Sequence, residues 1–172
     1  MGGGLPSAAA ERRMGITARI SAADIVLDLG VGSKRSLLQT LAAEAASRLG
    51  RSEAEILEAL QARERLGSTA LGRGVALPHA QLAGNDPPVM LFARLRRPID
   101  YEARDEEPVD LVILMLWPEA SPDGFLPALT ETCRALREPQ ALRRLRGAAS
   151  AEEVVAILDR YGKPPTAALA DS

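Results

Sequence analysis

Val109 to Trp117, VDLVILMLW, restricts the possible folds more than any other stretch of this chain. Asp110 apart, every residue in it is apolar, so an extended strand here buries both of its faces. Such a strand belongs at the centre of a sheet, with helices covering each side. At nine residues the run is far short of the roughly 20 apolar residues that a membrane span needs. Around it, strand-like and helix-like patterns intersperse, which predicts an α/β layered domain.

Ile20 to Val31 reads as a short helix or turn followed by a strand carrying Ile25, Val26, Leu27, Leu29 and Val31. Ser36 and Gln39 form a capping-box pattern for a helix through Leu49, closed by Gly50. A second box at Ser52 and Glu55 opens a helix to Leu66 with Gly67 as its stop. Val75–Leu77 and Val89–Leu95 read as strands, Asn85–Pro88 as a turn, and Arg96–Pro108 as a polar loop. Ser121–Pro122 predicts a helix start, with Leu126, Leu129, Cys133 and Leu136 as its core-facing stripe. Pro139 starts a short helix carrying Leu142 and Leu145. Ser150 and Glu153 cap a last helix lined by Val154, Ile157, Leu158 and Tyr161.

The 172 residues suit one domain, expected over 16–162 between an N-terminal tail at 1–15 and a C-terminal tail at 163–172. With 21 basic and 23 acidic residues the net charge is -2, so no bulk basic field draws the chain to nucleic acid or a membrane. Cys133 and His79 are each the only residue of their kind. No disulfide can therefore form within the chain, and a Cys/His zinc site is excluded. The N-terminus has no secretory core, and Pro6 breaks the myristoylation pattern. A soluble protein of a reducing cytoplasm is expected.

The chemistry concentrates in Arg63 to Leu82, RERLGSTALGRGVALPHAQL. Glycines let a backbone approach a ligand closely, and hydroxyls and guanidinium groups bind phosphate oxygens. Histidine gives or takes a charge near neutral pH. The apolar stripe Ile56, Ala59, Leu60 continues onto Arg63 and turns it inward, whereas Arg65 lies roughly 200° further round and is solvated. By these residues alone the segment is either an anion site or the exit turn of a helix, with Ser68 and Thr69 capping it and His79 a structural or surface histidine. It matches neither the P-loop nor the dinucleotide fingerprint.

The same string closely resembles the active-site segment of enzyme IIA of the fructose/mannitol class of the bacterial phosphotransferase system, including its nitrogen-related branch. The resemblance rests on Arg63-Glu64, Gly67-Ser68-Thr69, the turn Gly72 to Gly74, and Val75-Ala76-Leu77-Pro78-His79, with further similarity at Pro98-Ile99 and Pro108 to Leu111. It spans roughly Ile20 to Gly162. It implies an α/β fold with a mixed, mostly parallel sheet sandwiched between helices on both faces. It also implies a cytoplasmic phosphocarrier in which His79 accepts a phosphoryl group from an HPr-like carrier protein, with Arg63, Ser68 and Thr69 binding the phosphate. No nucleotide, cofactor or metal is expected at the site.

The departures from the family pattern bear on the role. Members often carry a second histidine at the start of the helix after the central strand, where this chain has Phe125. Ala80 replaces a common glycine, and Arg73 adds charge to the glycine turn. The missing histidine favours a stand-alone regulator of the nitrogen-related branch, whose phosphorylation state governs target proteins, transporters or sensor kinases among them. The alternatives are a sugar-delivery enzyme IIA serving a separate permease and a degenerate binding module that carries no phosphate. A hydrolase using His79 as general base lacks a nucleophile partner. Leu66, Leu71 and Leu82 are expected to contribute to an apolar partner surface.

Overall fold

The apolar run is buried along its whole length, with all of Leu111 to Trp117 at 1% exposure or less. In the computed structural model, which describes residues 19–163, the chain passes through a 3-10 turn (Ala22–Asp24) into strand β1 (Ile25–Leu29). Helices α1 (Lys34–Leu49) and α2 (Glu53–Arg65) follow, then strands β2 (Ala70–Gly72), β3 (Val75–Ala76), β4 (His79–Leu82), β5 (Val89–Ile99) and β6 (Val109–Pro118). Helices α3 (Phe125–Arg137), α4 (Pro139–Gly147) and α5 (Ala151–Gly162) complete it. The tails expected at 1–15 and, beyond Lys163, at 164–172 lie outside the described residues. Two compact units result: Asp24–Asp123, and, of the described residues, 19–23 with 124–163.

In the first unit the strands form one mixed sheet in the order β1-β5-β6-β3-β2, with β4 also on β6. β5 runs antiparallel to β6 on one side. On the other, β3 and then β4 lie parallel to β6, the first against Leu111 and Val112, the second against Met115 to Pro118. β1 is parallel to β5, and β2 and β3 form an antiparallel hairpin. The expectation of a mixed, mostly parallel α/β sheet with Val109–Trp117 at its centre therefore holds. Val112, Leu114 and Leu116 share a core with Leu37, Leu41 and Ala45 of α1 and with Ile56 and Leu60 of α2. Burial of these apolar faces fixes the two helices on the sheet.

Several local expectations are corrected. The cap of α1 is Ser33, whose side chain accepts from the Ser36 amide while the Ser36 hydroxyl accepts from the Ser33 amide. Ser36 is thus the inner partner of the box, and the helix begins three residues earlier than read. β5 runs on to Ile99 through a stretch read as loop, because a register shift after Arg94 leaves Arg96, Arg97 and Pro98 exposed before Ile99 pairs Val109. β2 and β4, too short for a periodicity, were not foreseen.

In the second unit, α3, α4 and α5 pack on one another. Buried are Ala128, Thr132, Ala135 and Leu136 of α3, Leu142 and Leu145 of α4, and Val154, Ile157 and Leu158 of α5. Pro139 and Ser150 start their helices as expected. α3 does not start at Pro122: its cap is Gly124, whose φ of 89° only glycine adopts readily. Upstream, Trp117 Nε1–H donates to the Asp123 carbonyl at 3.1 Å and holds the preceding turn. Of the expected stripe only Leu136 is buried, Leu129 and Cys133 are half-buried, and Leu126 is 69% exposed.

Candidate functional site

His79 is placed by an interruption in the strand that runs along β6. Leu77 and Pro78 break the line between β3 and β4, the Pro78 carbonyl accepts from the Met115 amide at 3.0 Å, and His79 opens β4 opposite Met115. Proline fixes its own φ and restricts the residue before it, which makes this break a rigid one. The imidazole is half-buried, and its Nδ1 lies 2.8 Å from the Leu77 carbonyl oxygen. A carbonyl can only accept, so Nδ1 carries the proton and the lone pair of the neutral ring sits on Nε2.

Arg63, Ser68 and Thr69 lie on one segment, from the last turn of α2 to the start of β2. Gly67, with φ 146°, lets the chain leave the helix there. Arg63 is half-buried, and its Nη1 donates to the Gly67 carbonyl at 3.0 Å. Among the described residues it has no carboxylate within ion-pair distance. Arg65 is solvated as expected, its side chain 63% exposed and paired with Glu58 at 2.9 Å. The Thr69 carbonyl accepts from the Leu77 amide at 3.0 Å, which sets this segment beside the residue that holds the histidine ring. The Ser68 hydroxyl donates to the Tyr101 carbonyl at 3.3 Å and accepts from the Ala70 amide at 3.2 Å.

The charge that sequence reasoning missed is Glu64, whose side chain is only 7% exposed. Its Oε2 meets Lys34 Nζ at 2.8 Å and accepts the Thr69 amide at 3.2 Å. Its Oε1 accepts the Thr69 hydroxyl and, at 3.0 Å, the hydroxyl of the fully buried Tyr101. The Thr69 hydroxyl is therefore spent inside the protein, at 3.0 Å from Tyr101 as well. Helical phase held the signal: Glu64 is four residues beyond Leu60 and eight beyond Ile56, so the stripe that reaches Arg63 reaches it too. Lys34 and Tyr101, 30 and 37 positions away in sequence, gave no local signal.

Burial alone would raise the Glu64 carboxyl, but the Lys34 ammonium, with Thr69 and Tyr101, holds it below the ordinary carboxylate value. Burial, then the Glu64 charge, pushes the Tyr101 phenol far above its usual range. A carboxyl depressed in the folded state lends stability that is present above its unfolded pKa, about 4.3, and is lost as the pH falls through the lower folded value. Urea unfolding followed from pH 7 down to pH 3 should therefore show stability falling in the acid range. In Glu64→Gln that part of the fall should disappear, and an unchanged acid slope would contradict the assignment.

Arg73 occupies the tip of the β2–β3 hairpin at φ 57°, with its amide donating to Asp105 Oδ2 at 3.0 Å. It sits at the end of the hairpin away from Leu77. Leu66 and Leu71 are exposed, 84% and 36%, as a partner surface would require, but Leu82 is 4% exposed and belongs to the core. Phe125 is the first residue of α3. Among the described residues no helix is long and apolar enough to cross a membrane, and no cluster of three or more His, Cys, Asp or Glu is placed to hold a metal ion.

Residues 19–161 match the family model described as "Phosphoenolpyruvate-dependent sugar phosphotransferase system, EIIA 2". A protein of Bradyrhizobium diazoefficiens named "Nitrogen regulatory protein" is 43% identical over 145 residues, covering 84% of this chain and 95% of that one. Among solved structures, Nitrogen Regulatory Protein IIA-Ntr from Neisseria meningitidis superposes with a TM-score of 0.79 at 37% identity, covering 83% of this chain and 98% of that one. The mannitol IIA of Escherichia coli shares the fold, with a TM-score of 0.68 at 22% identity over 81% of this chain and 99% of that one.

Proposed function

The chain belongs to the EIIA 2 family of the phosphoenolpyruvate-dependent sugar phosphotransferase system, and from that membership we propose that it is a phosphohistidine carrier of the nitrogen-related branch. In this reading it accepts a phosphoryl group on His79 from an HPr-like carrier and regulates target proteins by its phosphorylation state, in the cytoplasm. The observation that carries the reading is the Nδ1–H bond from His79 to the Leu77 carbonyl at 2.8 Å, which presents Nε2 as the nucleophile.

In the transfer, the Nε2 lone pair attacks phosphorus in line, the donor's P–N bond breaks, and its electron pair returns to the donor imidazole. The proton on Nδ1 stays in place, and its bond to Leu77 strengthens as the ring becomes positive. Charge builds on the three equatorial oxygens of the passing phosphoryl group. Arg63 supplies positive charge to them. In the Gly67–Thr69 segment, Ser68 can still turn its hydroxyl to the phosphate, whereas Thr69 serves by shaping the loop, since its hydroxyl and amide both bond Glu64. The phosphorylated ring adds about two negative charges, which changes the surface a partner would meet.

Support for a regulator over sugar delivery comes from Phe125, which stands at the start of α3 in a chain whose only histidine is His79. The reading is tested in two steps. Purified protein is incubated with phosphoenolpyruvate, enzyme I and the HPr-like carrier, and should acquire one acid-labile phosphoryl group. The phosphorylated and unphosphorylated forms are then compared as baits, and they should retain different partners. No label from an active donor would refute the carrier, and identical partner sets would refute the regulator.

A further inference from the structure

Resting on the carrier reading, we infer that Lys34 keeps the acceptor site competent by holding the Glu64 carboxylate away from its neighbour Arg63, so that the guanidinium stays available to the phosphoryl group. Arg63 and Glu64 are consecutive and oppositely charged, and both sit in the last turn of α2. Neighbours on a helix point about 100° apart, but both side chains lie on its half-buried side. There a flexible guanidinium can swing to a carboxylate that lacks a cation, and an arginine so paired has little charge to offer a phosphate.

Glu64 is already saturated. A carboxylate has about four lone-pair sites. Lys34 Nζ and the Thr69 amide occupy Oε2, and the Thr69 and Tyr101 hydroxyls occupy Oε1. Arg63, by contrast, bonds only the Gly67 carbonyl among the described residues. The separation is one of partners and not of distance, because the Arg63 charge still acts on the Tyr101 hydroxyl that Glu64 accepts, favouring the phenolate against burial.

Lys34 is placed by the Glu64 carboxylate and the Tyr101 ring. It is the first residue of α1, where a cation opposes the helix dipole. Its ammonium is nonetheless drawn inward to 15% exposure, lying 4.5 Å from the centroid of the Tyr101 ring. Its other carboxylate, Glu102 at 3.5 Å, is 77% exposed and adds little. Without Lys34, the Glu64 carboxylate would need another cation to stay charged against burial, and of its two sequence neighbours Arg65 is paired with Glu58 and solvated, which leaves Arg63.

The test compares single-turnover phosphoryl transfer from the phosphorylated HPr-like carrier to wild type, Lys34→Met, Lys34→Met/Glu64→Gln, Lys34→Arg and Tyr101→Phe. Each variant is assayed below its own unfolding temperature. Lys34→Met should be slower by about 10- to 100-fold at saturating donor, a share of the effect of losing one charge-stabilising donor. The loss should appear in the maximal rate and not in the donor concentration needed for half-saturation. Adding Glu64→Gln should recover most of the lost rate, and Lys34→Arg should not lose it. Tyr101→Phe disturbs the same cluster without changing its charge, so it should lower stability and leave the rate alone. Glu64→Gln alone, which loosens the Thr69 segment but removes the charge that could capture Arg63, should still transfer faster than a protein without Arg63, which keeps the test decisive if Lys34→Met does not fold.

A double variant as slow as Lys34→Met, or Glu64→Gln alone as slow as a loss of Arg63, would overturn the inference. So would Lys34→Met transferring at the wild-type rate while wild type labels normally. Failure of wild type to label at all would instead refute the carrier reading, and this inference with it.

Discussion

Arg63→Met should slow phosphoryl transfer to His79 by about 10²–10³-fold, the usual result of removing one donor that stabilises transition-state charge. The stability of the protein should change far less. Arg63 donates one hydrogen bond, to the Gly67 carbonyl at the end of α2, and has no carboxylate partner among the described residues. A cation at a helix C-terminus contributes about 0.3–1 kcal/mol, so unfolding in urea should shift only slightly. Arg63→Lys should recover part of the rate, because an ammonium supplies the charge but not the planar fork that meets two phosphate oxygens at once. Transfer at the wild-type rate in Arg63→Met, measured on protein shown to be folded, would remove Arg63 from the site.

Loss of labelling should be complete in His79→Ala and equally complete in His79→Asn. The asparagine amide can take over the bond that Nδ1–H makes to the Leu77 carbonyl, but it offers no nucleophilic nitrogen at the position of Nε2. The two variants therefore separate placement from chemistry. His79→Asn should remain near wild-type stability, whereas His79→Ala should lose about 0.5–1.5 kcal/mol with the hydrogen bond. Neither should unravel β4, whose pairing with β6 at Met115 is made by the backbone. Residual acid-labile label on either variant would place the phosphoryl group elsewhere.

How far the sequence disclosed this arrangement follows from the range of each interaction. The α/β class and the central strand were legible because burial on both faces leaves a one-dimensional mark, the run VDLVILMLW. Helix starts marked by one local signal were legible too, a capping hydroxyl at Ser52 and Ser150 and a proline at Pro139. Where two serines compete for a cap, as at Ser33 and Ser36, the pattern alone chose the wrong one, since either begins a plausible box. The start of α3 was misread for a different reason: Ser121–Pro122 is a good local signal, but Gly124 is the cap.

At the site, the segment from Arg63 to His79 was visible as a string, and helical phase separated the half-buried Arg63 from the solvated Arg65. The same phase admits Glu64, yet a carboxylate in an apolar stripe has meaning only once its cation is known. That cation arrives from α1, and the Tyr101 hydroxyl from a stretch that reads as polar loop. Both contacts span 30 or more residues, beyond the reach of any spacing argument. For Thr69 the consequence is direct: read as a hydroxyl donor to phosphate, it is engaged with Glu64 and Tyr101.

The proposed transfer depends on which nitrogen of His79 reacts. Protein labelled with ¹⁵N in the imidazole ring is phosphorylated through enzyme I and the HPr-like carrier, and ¹⁵N–³¹P coupling identifies the bonded nitrogen. Phosphorus is expected on Nε2, with Nδ1 still protonated and bonded to the Leu77 carbonyl. Phosphorus on Nδ1, or on any other residue, would contradict the proposed transfer.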